Sequence, residues 1–202
     1  LFAERIGVAK ADSWIDYAIL ENCMREDLNE RAERRIAVLE PVKLVLDNYP
    51  KGKEEECHAP NHPQKPELGK RALPFSRELW IEREDFAENP PKGYFRLASG
   101  AEVRLRYAYL VKCISVEKDA QGKVTTIHCT YDPETRSGTP GADKRKVKGN
   151  IHWLSVKHAH ATEVRLYDRL FKVPQPGSER DFLEDLNPDS KKIITACVEP
   201  AL

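Results

Sequence analysis

The sequence predicts a mainly β protein in which a helical segment precedes a series of short antiparallel strands, arranged as a barrel or a sandwich. Three observations support this fold class. Apolar residues recur at helical spacing near the N-terminus, seven segments with period-two alternation follow, and prolines, glycines and Asp or Asn residues separate those segments. One core could hold all the strands, and two small barrels fit 202 residues equally well.

The helix is predicted to begin at the capping pair Asp12-Ser13 and to continue to about Leu28. Its apolar residues recur at helical spacing and are Trp14, Ile15, Ala18, Ile19, Leu20, Cys23 and Met24. The pattern indicates one helix of ordinary length. The character of the sequence changes after Arg34.

Seven segments with alternating or β-branched residues are predicted to contain strands. Pro41 interrupts the first of them, which suits an edge position or a bend. In chain order the segments are RRIAVLEPVKLVLDNYP, ELWIEREDF, GAEVRLRYAYLVKC, GKVTTIHCTYD, RKVKGNIHWLSV, TEVRLYDRLF and KKIITACV.

The third segment, residues 100–113, alternates most regularly and predicts one half-buried strand. One predicted face is apolar and consists of Val103, Leu105, Tyr107, Tyr109, Val111 and Cys113. The opposite, exposed face is predicted to consist of Glu102, Arg104, Arg106, Ala108, Leu110 and Lys112. A rigid strand is therefore expected to present two arginines side by side. We expect both tyrosines to belong to the core.

The composition favours a globular protein of a reducing compartment. The chain has 33 basic and 33 acidic residues, which excludes a uniformly basic nucleic-acid coat but leaves local basic patches open. Its apolar runs are shorter than a membrane helix needs. Five widely spaced cysteines without a CxxC pair indicate reduced thiols and a cytoplasmic location. The chain starts LFAERIGVAK without an initiator Met, so we expect a fragment of a longer protein.

Two histidine groups invite a metal hypothesis, which we weigh against polar loop residues. They are Cys57, His58 and His62, and His152, His158 and His160. Adjacent Cys57 and His58 are poorly placed around one tetrahedral ion. We therefore favour the interpretation as polar loop residues, and no metal ligand is predicted. Pro60 and Pro63 make the first group a predicted loop.

No catalytic residue or cofactor site is predicted. The sequence contains no GxSxG, P-loop, GxGxxG or HExxH motif. The carboxylates Glu82, Glu84 and Asp85 lie at a charge-rich strand end and are expected to be solvated.

Basic residues form the strongest candidate site. Lys92, Arg96 and Lys112 lie near the two arginines in sequence, and a second basic run contains Lys144, Arg145, Lys146 and Lys148. Small barrels bind single-stranded nucleic acid with arginine forks and aromatic rings. The alternative is a solvated face that Glu102 balances.

Five stretches together resemble one protein family over nearly the whole chain. They are MREDLNERAERRIAVLEPVKLVLDNYP, PNHPQKPELGKRALPFSRELWIEREDF, VRLRYAYLVKC, KVKGNIHWLSVKHA and EVRLYDRLFKVPQPG. The chain resembles the C-terminal anticodon-binding region of glutaminyl-tRNA synthetases of the bacterial type. The related eukaryotic-type glutamyl enzymes share this architecture and remain an alternative.

The resemblance implies a tandem of two small antiparallel β-barrels, of the anticodon-binding, ribosomal-protein-like type, after a helical segment. Residues 1–33 would end the catalytic part, and residues 34–202 would form the barrels, truncated at the C-terminus. Residues 34–90 with 150–202 would make the proximal barrel and 91–149 the distal barrel. The parent would be a monomeric, cytoplasmic class I enzyme that uses ATP and magnesium. No HIGH-like or KMSKS-like signature occurs here, so this chain would bind a tRNA(Gln) anticodon loop and catalyse nothing.

The resemblance also assigns the anticodon contacts. Arg104 and Arg106 match residues that engage the first anticodon base, Arg34 matches a contact to the middle base, and Arg96 one to the third. Gly93 stands where the relatives have Gln and Phe95 where they have Lys, so Lys92 or backbone groups would substitute in reading the third base. A family glutamine at the middle base would lie beyond Leu202.

Two other interpretations stay open. A non-catalytic barrel module that docks a protein or a structural RNA would have the same strand pattern. A metal-dependent hydrolase would depend only on the histidines.

Overall fold

The computed structural model describes residues 1–10, 13–142 and 145–202. These residues form two compact units. Unit 1 comprises Leu1–Arg34 and Pro60–Gly69, and unit 2 comprises Arg35–Ala59 and Lys70–Leu202. The helical segment before a mainly β remainder confirms the predicted fold class.

Unit 1 contains the α-helices α1 (Phe2–Ile6) and α2 (Tyr17–Arg31). The Asp16 side chain accepts a hydrogen bond from the Ala18 amide at 2.9 Å and thereby caps α2. The predicted start at Asp12-Ser13 is therefore wrong, since Ser13 precedes the helix; Asp12 lies outside the described residues. Across the described ranges, no helix is long and apolar enough to cross a bilayer.

Fourteen strands occur in the part of the chain that the structure describes. In chain order they are β1 (Ala37–Val38), β2 (Pro41–Leu46), β3 (Glu55–Pro60), β4 (Lys70–Phe75), β5 (Glu78–Glu82), β6 (Phe86–Ala87), β7 (Leu97–Ala98), β8 (Glu102–Leu105), β9 (Leu110–Lys118), β10 (Val124–Asp132), β11 (Asn150–Ile151), β12 (Leu154–Ser155), β13 (His160–Tyr167) and β14 (Lys191–Val198). Short 3₁₀ helices span Pro66–Leu68, Arg83–Asp85, Pro133–Thr135 and Phe182–Asp185.

The largest sheet has seven strands in the order β11-β8-β9-β10-β2-β5-β12. Its pairings are antiparallel except β11 with β8 and β10 with β2, which are parallel. A three-stranded sheet has the order β1-β14-β13, and two-stranded sheets join β3 to β4 and β6 to β7.

Alternating side chains of these strands build the hydrophobic core of unit 2. Leu79 and Ile81 of β5, for example, are fully buried, as the period-two pattern predicts. The centre of the core is a group of aromatic rings whose neighbours meet at centroid distances of 4.9–5.4 Å, mostly edge to face: Tyr49, Phe75, Tyr109, Tyr131 and Trp153. Such contacts stabilise the packing by about 0.5–1.5 kcal/mol per pair beyond area burial.

The segment predicted as one strand at 100–113 is a hairpin. β8 and β9 pair antiparallel, with Val103 opposite Val111, and residues 106–109 form the turn between them. Ala108 and Leu110, expected on the exposed face, are buried. Tyr107 lies in the turn with φ 62° and packs against the core while half-buried, whereas Tyr109 is a core residue as predicted.

Several other boundaries also differ from the prediction. The residues around Cys57, expected to be a loop, form β3, and β4 was missed. The segment at 145–156 contains only the two-residue strands β11 and β12, and the strand predicted at 162–171 ends at Tyr167.

Candidate nucleic-acid interface

Arg106 combines a fixed backbone with a free side chain. Its amide donates to the Ile151 carbonyl at 2.9 Å, and its own carbonyl accepts a hydrogen bond from Trp153 Nε1 at 2.9 Å. Trp153 is almost completely buried, which anchors this contact in the core. The Arg106 side chain is exposed and has no hydrogen bond or ion pair to any residue that the structure describes. Its planar fork is available to an external acceptor.

The Arg104 guanidinium is engaged within the protein. Nη1 donates to the Thr135 carbonyl at 2.9 Å and to Ser137 Oγ at 3.3 Å, and Nη2 donates to the Ala142 carbonyl at 2.9 Å. Arg104 therefore holds the loop 135–142 against β8. The side chain is half-buried.

The predicted rigid strand with two equivalent arginines is wrong. β8 ends at Leu105, so Arg104 lies on the strand and Arg106 lies in the turn after it. The two side chains also differ in their partners, because Arg104 is tied to a loop and Arg106 has no hydrogen bond or ion pair to a described residue.

Lys92 and Arg96 lie in the loop between β6 and β7. Lys92 is exposed, and the Arg96 guanidinium pairs with the carboxylate of Asp85, which is 1% exposed. Burial raises the pKa of Tyr94 to about 12, so its hydroxyl stays protonated and donates to the Glu84 carbonyl at 3.0 Å. These contacts anchor the loop.

Gly93 in the same loop has φ +88°, a conformation that favours glycine over a side-chain residue such as glutamine.

Gly149 joins this loop to β8. A Cβ at Gly149 would lie 2.4 Å from the Phe95 carbonyl oxygen, so only glycine permits this close approach. The Gly149 carbonyl accepts from the Arg104 amide at 3.0 Å. The structure thus brings the loop of Lys92 and Arg96 beside the hairpin of Arg104 and Arg106. Sequence reasoning missed this connection; the isolated glycine ahead of a strand was its signal.

Arg34 belongs to unit 1 and contacts the C-terminal end of α2. Its guanidinium donates to the carbonyls of Leu28 at 3.3 Å, Asn29 at 2.9 Å and Ala32 at 2.6 Å. A cation at this end satisfies open carbonyls and complements the helix dipole.

Part of the second basic run is neutralised. Arg145 pairs with Glu102 and with Asp132, the latter at 2.9 Å. Glu102, expected to balance the arginines of its own segment, therefore has a different partner. Lys144 lies outside the described residues.

Cys57, His62 and His158 of the metal hypothesis have separate surroundings and do not form a ligand cluster. Cys57 is buried on β3, and His62 Nε2 bonds the Asn29 carbonyl at 3.0 Å. His158 Nε2 lies 3.1 Å from Glu54. Among the described residues, no three His, Cys, Asp or Glu side chains converge on one point.

Glu55 lies between the aromatic core and Arg136, a residue of the loop 135–142 that Arg104 holds. Its Oε1 accepts from the hydroxyls of Tyr49 at 2.8 Å and Tyr109 at 2.9 Å. Burial opposes ionisation of this carboxyl, but the two phenols and the charges of Lys53 and Arg136 lower its pKa. Burial and the Glu55 carboxylate raise the pKa values of both tyrosines.

Comparison with known families shows the class of this chain. Residues 32–132 and residues 150–202 match two family models, each described as the anticodon-binding domain of the class I tRNA synthetases (E and Q). The chain belongs to this family of anticodon-binding domains.

Curated relatives agree with this assignment over the whole chain. It is 66% identical to a protein of Nitrosomonas europaea, 62% identical to one of Cupriavidus metallidurans and 58% identical to one of Citrobacter koseri, each named Glutamine--tRNA ligase. All of this chain is covered in each case, and it spans 35–36% of the length of these relatives.

Proposed function

We propose that this chain recognises the anticodon loop of tRNA(Gln) for a glutamine–tRNA ligase. The family models cover glutamate and glutamine enzymes, and the names of the relatives favour glutamine. In this proposal ATP and Mg²⁺ serve a catalytic part elsewhere in a monomeric, cytoplasmic ligase, and the residues of this chain contribute only RNA contacts.

The observation that carries the proposal is the geometry of Arg106. Its backbone is fixed by Ile151 and Trp153, and its guanidinium is exposed without a partner among the described residues. A fork held on a rigid hairpin bonds an unstacked base with little ordering cost. We assign Arg106 to the first anticodon base.

The other candidate residues take different roles in the proposal. Arg104 supports the loop 135–142 and directs its two remaining N–H donors, on Nε and Nη2, toward the same base. Arg96, braced by Asp85, and Lys92 serve the third base, and Arg34 serves the middle base.

In the proposal, residues 34–90 with 150–202 form a proximal barrel and residues 91–149 a distal barrel. Strands from 91–149 (β8, β9 and β10) are neighbours in the large sheet, and β2, β5 and β12, which come from 34–90 and 150–202, adjoin them through the parallel β10–β2 pairing. The short strand β11, also from 150–202, pairs with β8 instead.

A titration of the 202-residue chain with an anticodon stem-loop of tRNA(Gln) tests the proposal. We expect salt-sensitive binding, about 10- to 150-fold weaker for Arg106→Ala, as loss of charge-assisted hydrogen bonds implies. Arg165→Ala is the matched control, because Arg165 is an exposed arginine of β13 paired with Glu163. Equal binding of a stem-loop with a scrambled loop would contradict the proposal.

A further inference from the structure

The aromatic ring of Phe95 is exposed in the loop between β6 and β7. The residue is 54% exposed, and Lys148 Nζ lies over the ring at 5.0 Å from its centroid. A large apolar ring in water costs solvation free energy, and a cation over the ring face offsets part of that cost. The Arg and Lys assignments drawn from the family do not include this pair.

The backbone that carries the ring is held in place on both sides. The Phe95 carbonyl packs against Gly149, where a side chain would not fit. Tyr94 bonds the Glu84 carbonyl before it, and Arg96 pairs with the buried Asp85 after it. The ring is therefore presented by an anchored loop rather than by a mobile one.

The charge around the ring favours an anionic ligand. Residues 92–96 and 145–149 contain lysines and arginines and no acidic residue. Lys92 and Lys148 are exposed and form no ion pair with any described residue. An apolar peptide would leave these ammonium groups unpaired, whereas a nucleic-acid backbone supplies phosphates for them.

We infer that Phe95 and Lys148 form a subsite that stacks one unpaired base of an RNA loop. The base packs on the ring face that Lys148 leaves open, and the ammonium group bonds an adjacent phosphate. Stacking on a phenyl ring tolerates any base, so the subsite positions the loop and leaves base selection to the arginines. This inference rests on the proposed anticodon-binding function.

The test compares Phe95→Leu with Phe95→Tyr in the 202-residue chain. The first removes the aromatic face and the second keeps it. We titrate anticodon stem-loops that carry the fluorescent base 2-aminopurine at successive loop positions. Phe95→Leu is expected to weaken binding by about 5- to 150-fold, and Phe95→Tyr to bind as the unchanged chain does.

The fluorescence of the bound RNA separates stacking from a general loss of affinity. Stacking quenches 2-aminopurine, so at one loop position the saturated complex should be dimmer with the unchanged chain than with Phe95→Leu. Lys148→Gln should reduce the slope of log K against log salt by about 0.7, as loss of one phosphate contact to single-stranded RNA does. Tyr167→Leu is the control, because Tyr167 is a more exposed aromatic residue, on β13.

Two failures are distinguishable. If Phe95→Leu binds and quenches like the unchanged chain while Arg106→Ala binds weakly, the subsite is wrong and the proposed function stands. If the unchanged chain binds no stem-loop, both are wrong. Circular dichroism spectra of the variants show whether the fold is retained, which we expect because Phe95 is exposed.

Discussion

Truncation of Arg104 is predicted to destabilise the protein and truncation of Arg106 is not, although both are arginines of one hairpin. Arg104→Ala removes the donors to Thr135, Ser137 and Ala142. Each such hydrogen bond contributes about 1 kcal/mol net, and the 3.3 Å contact to Ser137 contributes least, so the expected loss of stability is about 2–3 kcal/mol. Arg106→Ala removes no side-chain hydrogen bond or ion pair to a described residue and should change stability by less than about 0.5 kcal/mol.

Urea unfolding followed by tryptophan fluorescence measures this difference. Arg104→Ala should lower the midpoint with little change of slope, whereas Arg106→Ala should overlay the unchanged chain. Arg104→Lys should recover only part of the loss, because an ammonium group cannot reproduce the two-sided fork that reaches Thr135 and Ala142. Equal stability of Arg104→Ala and Arg106→Ala would refute the assignment of Arg104 as the tether of loop 135–142.

Two further predictions concern the scaffold. Gly149→Ala should destabilise the chain by about 1–3 kcal/mol in the same urea assay, because the new methyl group would meet the Phe95 carbonyl at 2.4 Å. Unchanged stability would contradict this prediction and show that the loop of Phe95 shifts at little cost. The Asp47 carboxylate raises the pKa of His128, against burial and with help from Glu117. The stabilisation is therefore complete below the unfolded pKa of about 6.5 and disappears as the pH rises through the folded pKa. His128→Gln should lower the unfolding midpoint at about pH 6 and leave it unchanged at about pH 9, and a constant difference would contradict this linkage.

The fold class follows from the sequence because hydrophobic periodicity reports burial directly. The hairpin was not predicted, because the paired residues Arg104 and Leu110 enclose five residues, an odd number, so the alternation continues in phase through the turn. No glycine, asparagine or proline marks this turn, and Tyr107 adopts the positive φ instead. β3 was missed because Pro60, its last residue, and Pro63 after it suggested a loop, although Cys57 and Ala59 alternate with exposed neighbours.

The candidate site was predictable as a set of residues but not as a set of roles. The resemblance supplied Arg96, Arg104 and Arg106, and the sequence pattern supplied their basic neighbours. Which guanidinium groups already have protein acceptors depends on loops distant in sequence, such as Thr135 and Ala142 for Arg104. The ring of Phe95 could be placed beside Lys148 only once the close approach at Gly149 was known.

The most direct test of the account is the selectivity of Arg106 for the first anticodon base. Stem-loops that differ only at this base are titrated against the unchanged chain, Arg106→Ala and the control Arg165→Ala. The unchanged chain and the control should prefer the base of tRNA(Gln), and Arg106→Ala should lose that preference while all three proteins unfold at the same urea concentration. An Arg106→Ala variant that still discriminates between the stem-loops as the unchanged chain does would contradict the account.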